Sequence, residues 1–220
     1  MAGNPVPRSP NRLGGYLTRK QEYIFNLLYD TMHDKNLSRQ DFKELQKRMS
    51  DLRNLRPASE ENRKLQTRIG SIWSGLMKSS RHYRKNPLQQ HLNVPEWLAY
   101  WSDFVKSARS VRGWPEVSED GLTDYQWHNE FIDLIFDNMD YKGDESLDKE
   151  EYSRFMKAFG LSTDRCEETF LSIVNNTKNG QKIDRQKFKD LWFEFLTNEK
   201  EDGVGNFLFG NPLLELVDET

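Results

Sequence analysis

A chain of 220 residues, 35% hydrophobic and 12% aromatic, can bury one sizeable core or two small lobes, and its formal net charge of -3 is too mild to single out nucleic acid or an anionic membrane as a partner. No apolar run reaches the length of a membrane span. The opening Met1-Ala2-Gly3-Asn4-Pro5 lacks the regions of a secretory leader, and with a single cysteine, Cys166, the chain reads as cytoplasmic and free of internal disulfides.

In chain order, apolar residues first recur at helical spacing between Tyr16 and Tyr29, as Tyr16, Tyr23, Ile24, Leu27 and Leu28. After a polar loop, Phe42, Leu45, Met49 and Leu52 resume the period, and Pro57 ends it. Ser59 is placed to cap the next helix, whose face carries Leu65, Ile69, Ile72, Trp73 and Leu76 and which runs into a second loop near Ser79. Asn93 to Lys106 reads as the following helix; Pro95 is tolerated in its first turn because that amide would be unpaired anyway. Ser110 to Gly121, with Gly113 and Pro115, breaks the period and reads as a hinge between lobes 1–112 and 113–220. Helices are then expected over Tyr125 to Met139 and Tyr152 to Phe159, with Gly160 as a C-cap. The last pair runs from Asp164 to Val174 and, after a loop at Asn176 to Lys187, on to Leu196. Met1 to Gly15 and Asn211 to Thr220 read as flexible ends.

One pattern occurs four times in this framework: an aliphatic residue, a capping residue, two free positions, an acidic or polar residue, then an aromatic. The copies are Leu37-Ser38-x-x-Asp41-Phe42, Leu92-Asn93-x-x-Glu96-Trp97, Leu147-Asp148-x-x-Glu151-Tyr152 and Ile183-Asp184-x-x-Lys187-Phe188. The capping side chain can satisfy free amides, the carboxylate can bond back, and the aromatic starts a buried face, so four copies imply four units of one kind. A calcium loop of the EF-hand type takes oxygens from positions 1, 3, 5, 7, 9 and 12, with glycine at 6. In that register the aliphatic residue is position 8, the cap position 9 and the carboxylate position 12. Intervals of 55, 55 and 36 residues between the aliphatic positions suggest that the first loop pairs with the second and the third with the fourth.

The loops differ in chemistry. The first has Asp30, Asp34 and Asp41 at positions 1, 5 and 12, but Met32 at 3, a thioether that a hard cation does not favour. The second has Lys85, Pro87, Gln89 and His91 at 1, 3, 5 and 7 and keeps only Glu96; preceded by Lys78, Arg81, His82 and Arg84, it reads as a solvated basic loop or as a site for an anion or a partner's acidic segment. The fourth offers Asn176, Lys178, Gly180, Lys182, Asp184 and Lys187, and a lysine at 12 excludes calcium. The third retains Asp140, Asp144, Asp148 and Glu151 at 1, 5, 9 and 12, with the Ser146 carbonyl at 7. Against it stand Lys142 at 3 and Glu145 at 6, where a non-glycine residue in left-handed backbone costs roughly 1 to 2 kcal/mol. The candidate metal ligands are therefore Asp140, Asp144, Ser146, Asp148 and Glu151, with Ca2+ bound on the order of 10⁻⁴ M or more weakly, or not at all. The rival reading is that these acids only cap and solubilise the following helix.

The loop registers, Ile72-Trp73-x-Gly75-Leu76, Glu96-Trp97-Leu98-x-x-Trp101, Phe188-x-x-Leu191-Trp192 and the tail Gly205-Asn206-Phe207-Leu208-Phe209-Gly210 together resemble the invertebrate sarcoplasmic calcium-binding protein and calexcitin family over roughly Tyr16 to Gly210. The resemblance implies an all-α, two-lobed fold of four EF-hand units and a tail whose Phe207, Leu208 and Phe209 fold back into an apolar groove. Trp73, Trp97, Trp101, Trp127 and Trp192 lie on helical faces beside aliphatic residues and read as core, whereas Trp114, in the hinge, reads as an inter-lobe plug.

No catalytic constellation is evident. A G-x-x-x-x-G-K-[ST] loop is absent, Gly203, Gly205 and Gly210 lack dinucleotide-loop spacing, and His33, His82, His91 and His128 make no metal-ligand pattern. The leading expectation is a non-enzymatic, monomeric calcium-binding protein acting in signalling or protein interaction. A metal-free scaffold for a protein partner is the alternative. Nucleotide-binding or kinase activity comes third, because the wider resemblance includes insect proteins described as juvenile hormone diol kinases.

Overall fold

Every exit helix starts at the capping residue read from the pattern. In the computed structural model, which describes residues 13–86, 88–119, 121, 124–175 and 181–210, Asn93 Oδ1 accepts from the Glu96 amide (3.0 Å) while Glu96 returns a carboxylate oxygen to the Asn93 amide (3.1 Å). Asp148 and Glu151 make the same reciprocal pair at 3.0 and 3.1 Å. Ser38 and Asp41 close the first box. Asp184 accepts from the Lys187 amide at 2.8 Å, but Lys187 has no acceptor to return. These boxes satisfy amides that a helix start otherwise leaves open.

The elements alternate helix, short strand, helix. α1 (Gly15–Ile24) continues as a π-helical turn (Phe25–Tyr29) into β1 (Asn36–Ser38) and α2 (Arg39–Leu52). α3 (Glu60–Ser79) and a short α4 (Arg81–Lys85) lead to β2 (His91–Asn93) and α5 (Val94–Val111). α6 (Gln126–Met139), β3 (Ser146–Leu147) and α7 (Lys149–Ala158) form the third unit; α8 (Thr163–Val174), β4 (Ile183–Asp184) and α9 (Arg185–Thr197) form the fourth. Two boundaries differ from the sequence expectation. α2 stops at Leu52, before Pro57, because Asn54 turns left-handed (φ +51°). α5 runs to Val111 and ends on Arg112 in left-handed backbone, so its last turns take up the start of the hinge.

β1 pairs antiparallel with β2 through Leu37 and Leu92, and β3 with β4 through Leu147 and Ile183. These four aliphatic side chains are fully buried. The loops therefore stack first with second and third with fourth, each pair sharing a small ladder beneath two helix ends.

The aromatic core is continuous across residue 112. Tyr29 stacks on Phe131 at 4.8 Å, Trp101 meets His128 at 4.7 Å, and α3 lies so close to α6 that a Cβ on Gly75 would sit 2.6 Å from that of Trp127. Trp73, Trp97, Trp101, Trp127 and Trp192 are all buried. Trp114 is half-buried, its ring edge-on to Phe104 of α5 and 5.0 Å from Phe193 of α9.

The tail folds back. A 3-10 turn (Val204–Phe207) delivers Leu208 and Phe209 into the core, with the Phe209 ring against Trp192 (4.7 Å) and Phe195 (5.2 Å). Tyr23 and Tyr152 donate hydroxyl protons to the carbonyls of Phe209 and Leu208, and Lys20 donates to the Asn198 carbonyl (2.6 Å) and Asn206 Oδ1 (2.8 Å). Gly205 permits the approach, since a Cβ there would meet the Leu191 carbonyl oxygen at 2.6 Å. Cys166, on α8, is wholly buried. Among the described residues, no helix is long and apolar enough to cross a membrane.

Candidate metal centre

The first and third loops bend alike. Positions 4 and 6 are left-handed in both, at His33 and Lys35 (φ +56° and +63°) and at Gly143 and Glu145 (φ +71° and +59°). The bend turns amides inward onto the first carboxylate. Asp30 accepts from Asp34 (3.1 Å) and Lys35 (2.8 Å); Asp140 accepts from Gly143 (2.8 Å), Asp144 (3.1 Å) and Glu145 (3.0 Å). Lys35 and Glu145 thus hold a conformation in which a side chain costs roughly 1 to 2 kcal/mol, as expected for Glu145 from its loop position.

The carboxylates in the third loop converge. Asp140, Asp144 and Glu151 each place an oxygen within 4.8 Å of the others, the combination found among the described residues. Asp140 and Glu151 are buried, at 6% and 1% exposure, and Asp144 is exposed. Glu151 also accepts from the amides of Lys142 (3.1 Å) and Asp148 (3.1 Å). Ser146 donates its hydroxyl to Asp144 at 2.7 Å, and Asp148 is turned to its cap and to the ammonium of Lys142. An oxygen-only donor set suits a hard divalent cation. The residues fit such an ion, but with opposition from two lysines.

Lys142 pairs with Asp148 and reaches Glu150 at 3.2 Å; Lys182 crosses from the fourth loop to pair with Asp144. The hydrogen bond to Asp148 raises the Lys142 pKa, and the bond to Asp144 raises that of Lys182. Asp144 is lowered in turn, first by Lys182 and then by Ser146. Burial would raise Asp148, but Lys142 and the Glu151 amide prevail and lower it. Arg185, two residues past the β4 ladder residue Ile183, meets Glu145 (2.9 Å), Asp133 (3.3 Å) and Asp137 (2.8 Å), binding the fourth unit to the third.

In the first and second loops the position-12 acids are met by protein groups. In the first, Asp41 accepts from the Met32 amide (3.0 Å), the Ser38 amide (2.8 Å) and the Thr31 and Ser38 hydroxyls (3.3 and 2.8 Å), while Met32 lies half exposed. In the second, Gln89 at position 5 donates its amide to both Glu96 oxygens, at 2.9 and 3.0 Å. Pro87 lies outside the described residues, as do Asn176, Lys178 and Gly180 of the fourth loop and residues 1–12 and 211–220.

Sequence reasoning missed Gln89, Lys182 and Arg185 as partners of the acids. Position 7 of a loop whose ladder partner is known faces that partner, which was the available signal for Lys182. No comparable signal marks Gln89. His128 is boxed by Trp101, Phe104, Trp127 and Trp192, and burial pushes its imidazole down to about 3, which keeps it neutral. A cleft of about 490 Å³ between α1 and α5, lined by Leu13, Leu17, Val105, Lys106, Arg109 and Glu199, has its Arg109 paired with Glu199.

No protein-family model matches the chain. It is 24% identical over 200 residues to sarcoplasmic calcium-binding proteins II, V, VI and VII of Branchiostoma lanceolatum, covering 90% of this chain and 98% of theirs. It is 21% identical over 198 residues to calexcitin-1 of Caenorhabditis elegans, covering 89% of this chain and 86% of that one. The fold matches that of a sarcoplasmic calcium-binding protein from amphioxus with a TM-score of 0.69, at 21% identity over 90% of this chain and 98% of the other. The resemblance read from the loop registers and tail is thus carried by homologues along most of the chain, and the helical four-unit fold is theirs.

Proposed function

With sarcoplasmic calcium-binding proteins and calexcitin as its homologues, we propose that this chain is an EF-hand calcium-binding protein of their type with at most one weak working site, the third loop. The observation that carries this reading is the convergence of Asp140, Asp144 and Glu151 within 4.8 Å. The bound ion would take these carboxylates together with Asp148 and the Ser146 carbonyl, and its chemistry would be charge neutralisation within the loop rather than catalysis. The Lys142 ammonium and left-handed Glu145 argue for weak affinity, on the order of 10⁻⁴ M or poorer.

The tail supports signalling or interaction through the outer surface. A sensor EF-hand exposes a hydrophobic groove to a target helix when it opens. Here Leu208 and Phe209 already occupy apolar space beside Trp192 and Phe195. The protein would act in the cytoplasm as a monomer, without enzymatic turnover.

A second reading is favoured by the Gln89 bridge to Glu96: a metal-free scaffold in which paired loops survive as packing devices and a protein partner binds independently of calcium. Calorimetric titration of calcium in physiological salt and magnesium, beside Glu151→Gln, separates the two. Heat that disappears in Glu151→Gln supports the third-loop site. An absence of heat and of any melting shift at millimolar calcium sinks it in favour of the scaffold.

A further inference from the structure

Three carboxylates converge in the third loop, with Asp148 as a fourth candidate ligand, and two ammonium groups answer these acids from different places in the chain. Lys142 comes from the loop itself and bridges Asp148 and Glu150. Lys182 comes from the paired loop: the β3 and β4 ladder sets Ser146 against Asp184 and Leu147 against Ile183, so the preceding Lys182 is brought beside the third loop. Its ammonium meets Asp144, one of the three converging acids. With the fourth loop's position 12 occupied by Lys187 instead of an acid, that loop gives its partner a cation.

We propose that Lys182 is a built-in competitor for the third-loop cation, delivered by the neighbouring loop, so that a divalent ion enters by displacing its ammonium from Asp144, with Lys142 as a second competitor within the loop. This rests on the reading that the third loop takes calcium. Lys182 and Asp144 have side chains 45% and 42% exposed. Water can therefore receive the displaced ammonium, and the exchange is accessible without unfolding the ladder. Lys142 is held by two carboxylates and is the less easily released of the two. The arrangement makes the fourth loop a determinant of affinity without supplying a ligand. Two of the four candidate-ligand carboxylates, Asp144 and Asp148, are thus paired with ammonium groups before any ion arrives.

The test is calcium calorimetry on the full chain for wild type, Lys182→Gln, Lys182→Arg and the double variant Lys142→Met/Lys182→Gln, in which the thioether adds no ligand for a hard cation, each repeated with Glu151→Gln, with melting curves to verify folding. Because the ion has to break an exposed ion pair to enter, Lys182→Gln is expected to bind up to roughly fivefold tighter. The double variant binds tighter still, Lys182→Arg stays near wild type, and Glu151→Gln abolishes every gain. Glu151-dependent binding that appears only in the lysine variants supports the competitor and overturns weak binding by the wild type. Equal affinity in wild type and variants overturns the competitor and leaves the calcium reading standing. No binding in any of them overturns both.

Discussion

Arg53, just beyond the end of α2, donates from Nη1 to the carbonyl oxygens of Asp137 (2.7 Å) and Asp140 (3.1 Å). The N-terminal half thereby caps the helix that enters the third loop and fastens the loop's first residue. Beside it, Asn138 donates to the Met49 carbonyl at 3.2 Å, and Arg154 donates to that of Leu52. Replacing Arg53 by Met keeps the aliphatic stem and leaves the two carbonyls without this donor. A loss of about 1 to 3 kcal/mol is expected in urea unfolding; a change below about 0.5 kcal/mol would show that the contact does not matter for stability.

Gly75 and Gly70 occupy the same helix with opposite expectations. An alanine Cβ at 75 would overlap Trp127, whereas a Cβ at 70 meets nothing within 4 Å. Gly75→Ala should destabilise by about 1 to 3 kcal/mol through forced separation of α3 and α6. Gly70→Ala should stabilise by up to about 1 kcal/mol through helix propensity. Denaturant midpoints moving in the same direction would contradict this account.

Lys20 ties stability to pH. Burial pushes its ammonium from 10.5 down to about 7, against the upward pull of Glu194 and Glu199. Between those two values the unfolded chain binds the proton and the folded chain releases it, so the Lys20 contribution to stability rises with pH from about 7 toward 10.5. Below about 7 both states are protonated and the burial penalty applies in full. Unfolding midpoints at pH 7 and pH 9 should rise more steeply in wild type than in Lys20→Met. Parallel profiles would assign the slope to other groups.

The left-handed residues at loop position 6 can be relieved. Lys35→Gly should gain about 0.5 to 1 kcal/mol, because the conformation stops costing more than the added freedom of the unfolded chain. Glu145→Gly should gain less, since it gives up the 2.9 Å contact with Arg185. Thermal unfolding of the pair checks the order; a loss at Lys35 would refute the strain argument.

Much of this architecture could be read from one line of sequence. The cap and acid three residues apart located the start of each exit helix because a capping box is a local device, and the buried aliphatic at position 8 located the ladders because pairing needs one such residue per loop. The tryptophan faces were legible for the same reason of period. Boundaries set by backbone conformation were not. Asn54 ends α2 by turning left-handed, a step that Pro57 mimicked three residues later. The candidate site was legible as a set of acids and illegible as a charge network. Asp140, Asp144 and Glu151 follow from register, but the hold of Lys182 on Asp144 and of Gln89 on Glu96 depends on where flexible side chains land after the loops have stacked.

The chain has one thiol, and the fold hides it. Cys166 sits on α8 with none of its surface in water. A modifying reagent reaches that sulfur only when α8 swings away from the body of the protein, and no other sulfhydryl can answer in its place. The rate at which Cys166 reacts is therefore a clock for the breathing of the final unit, readable in the unaltered chain without attaching any probe.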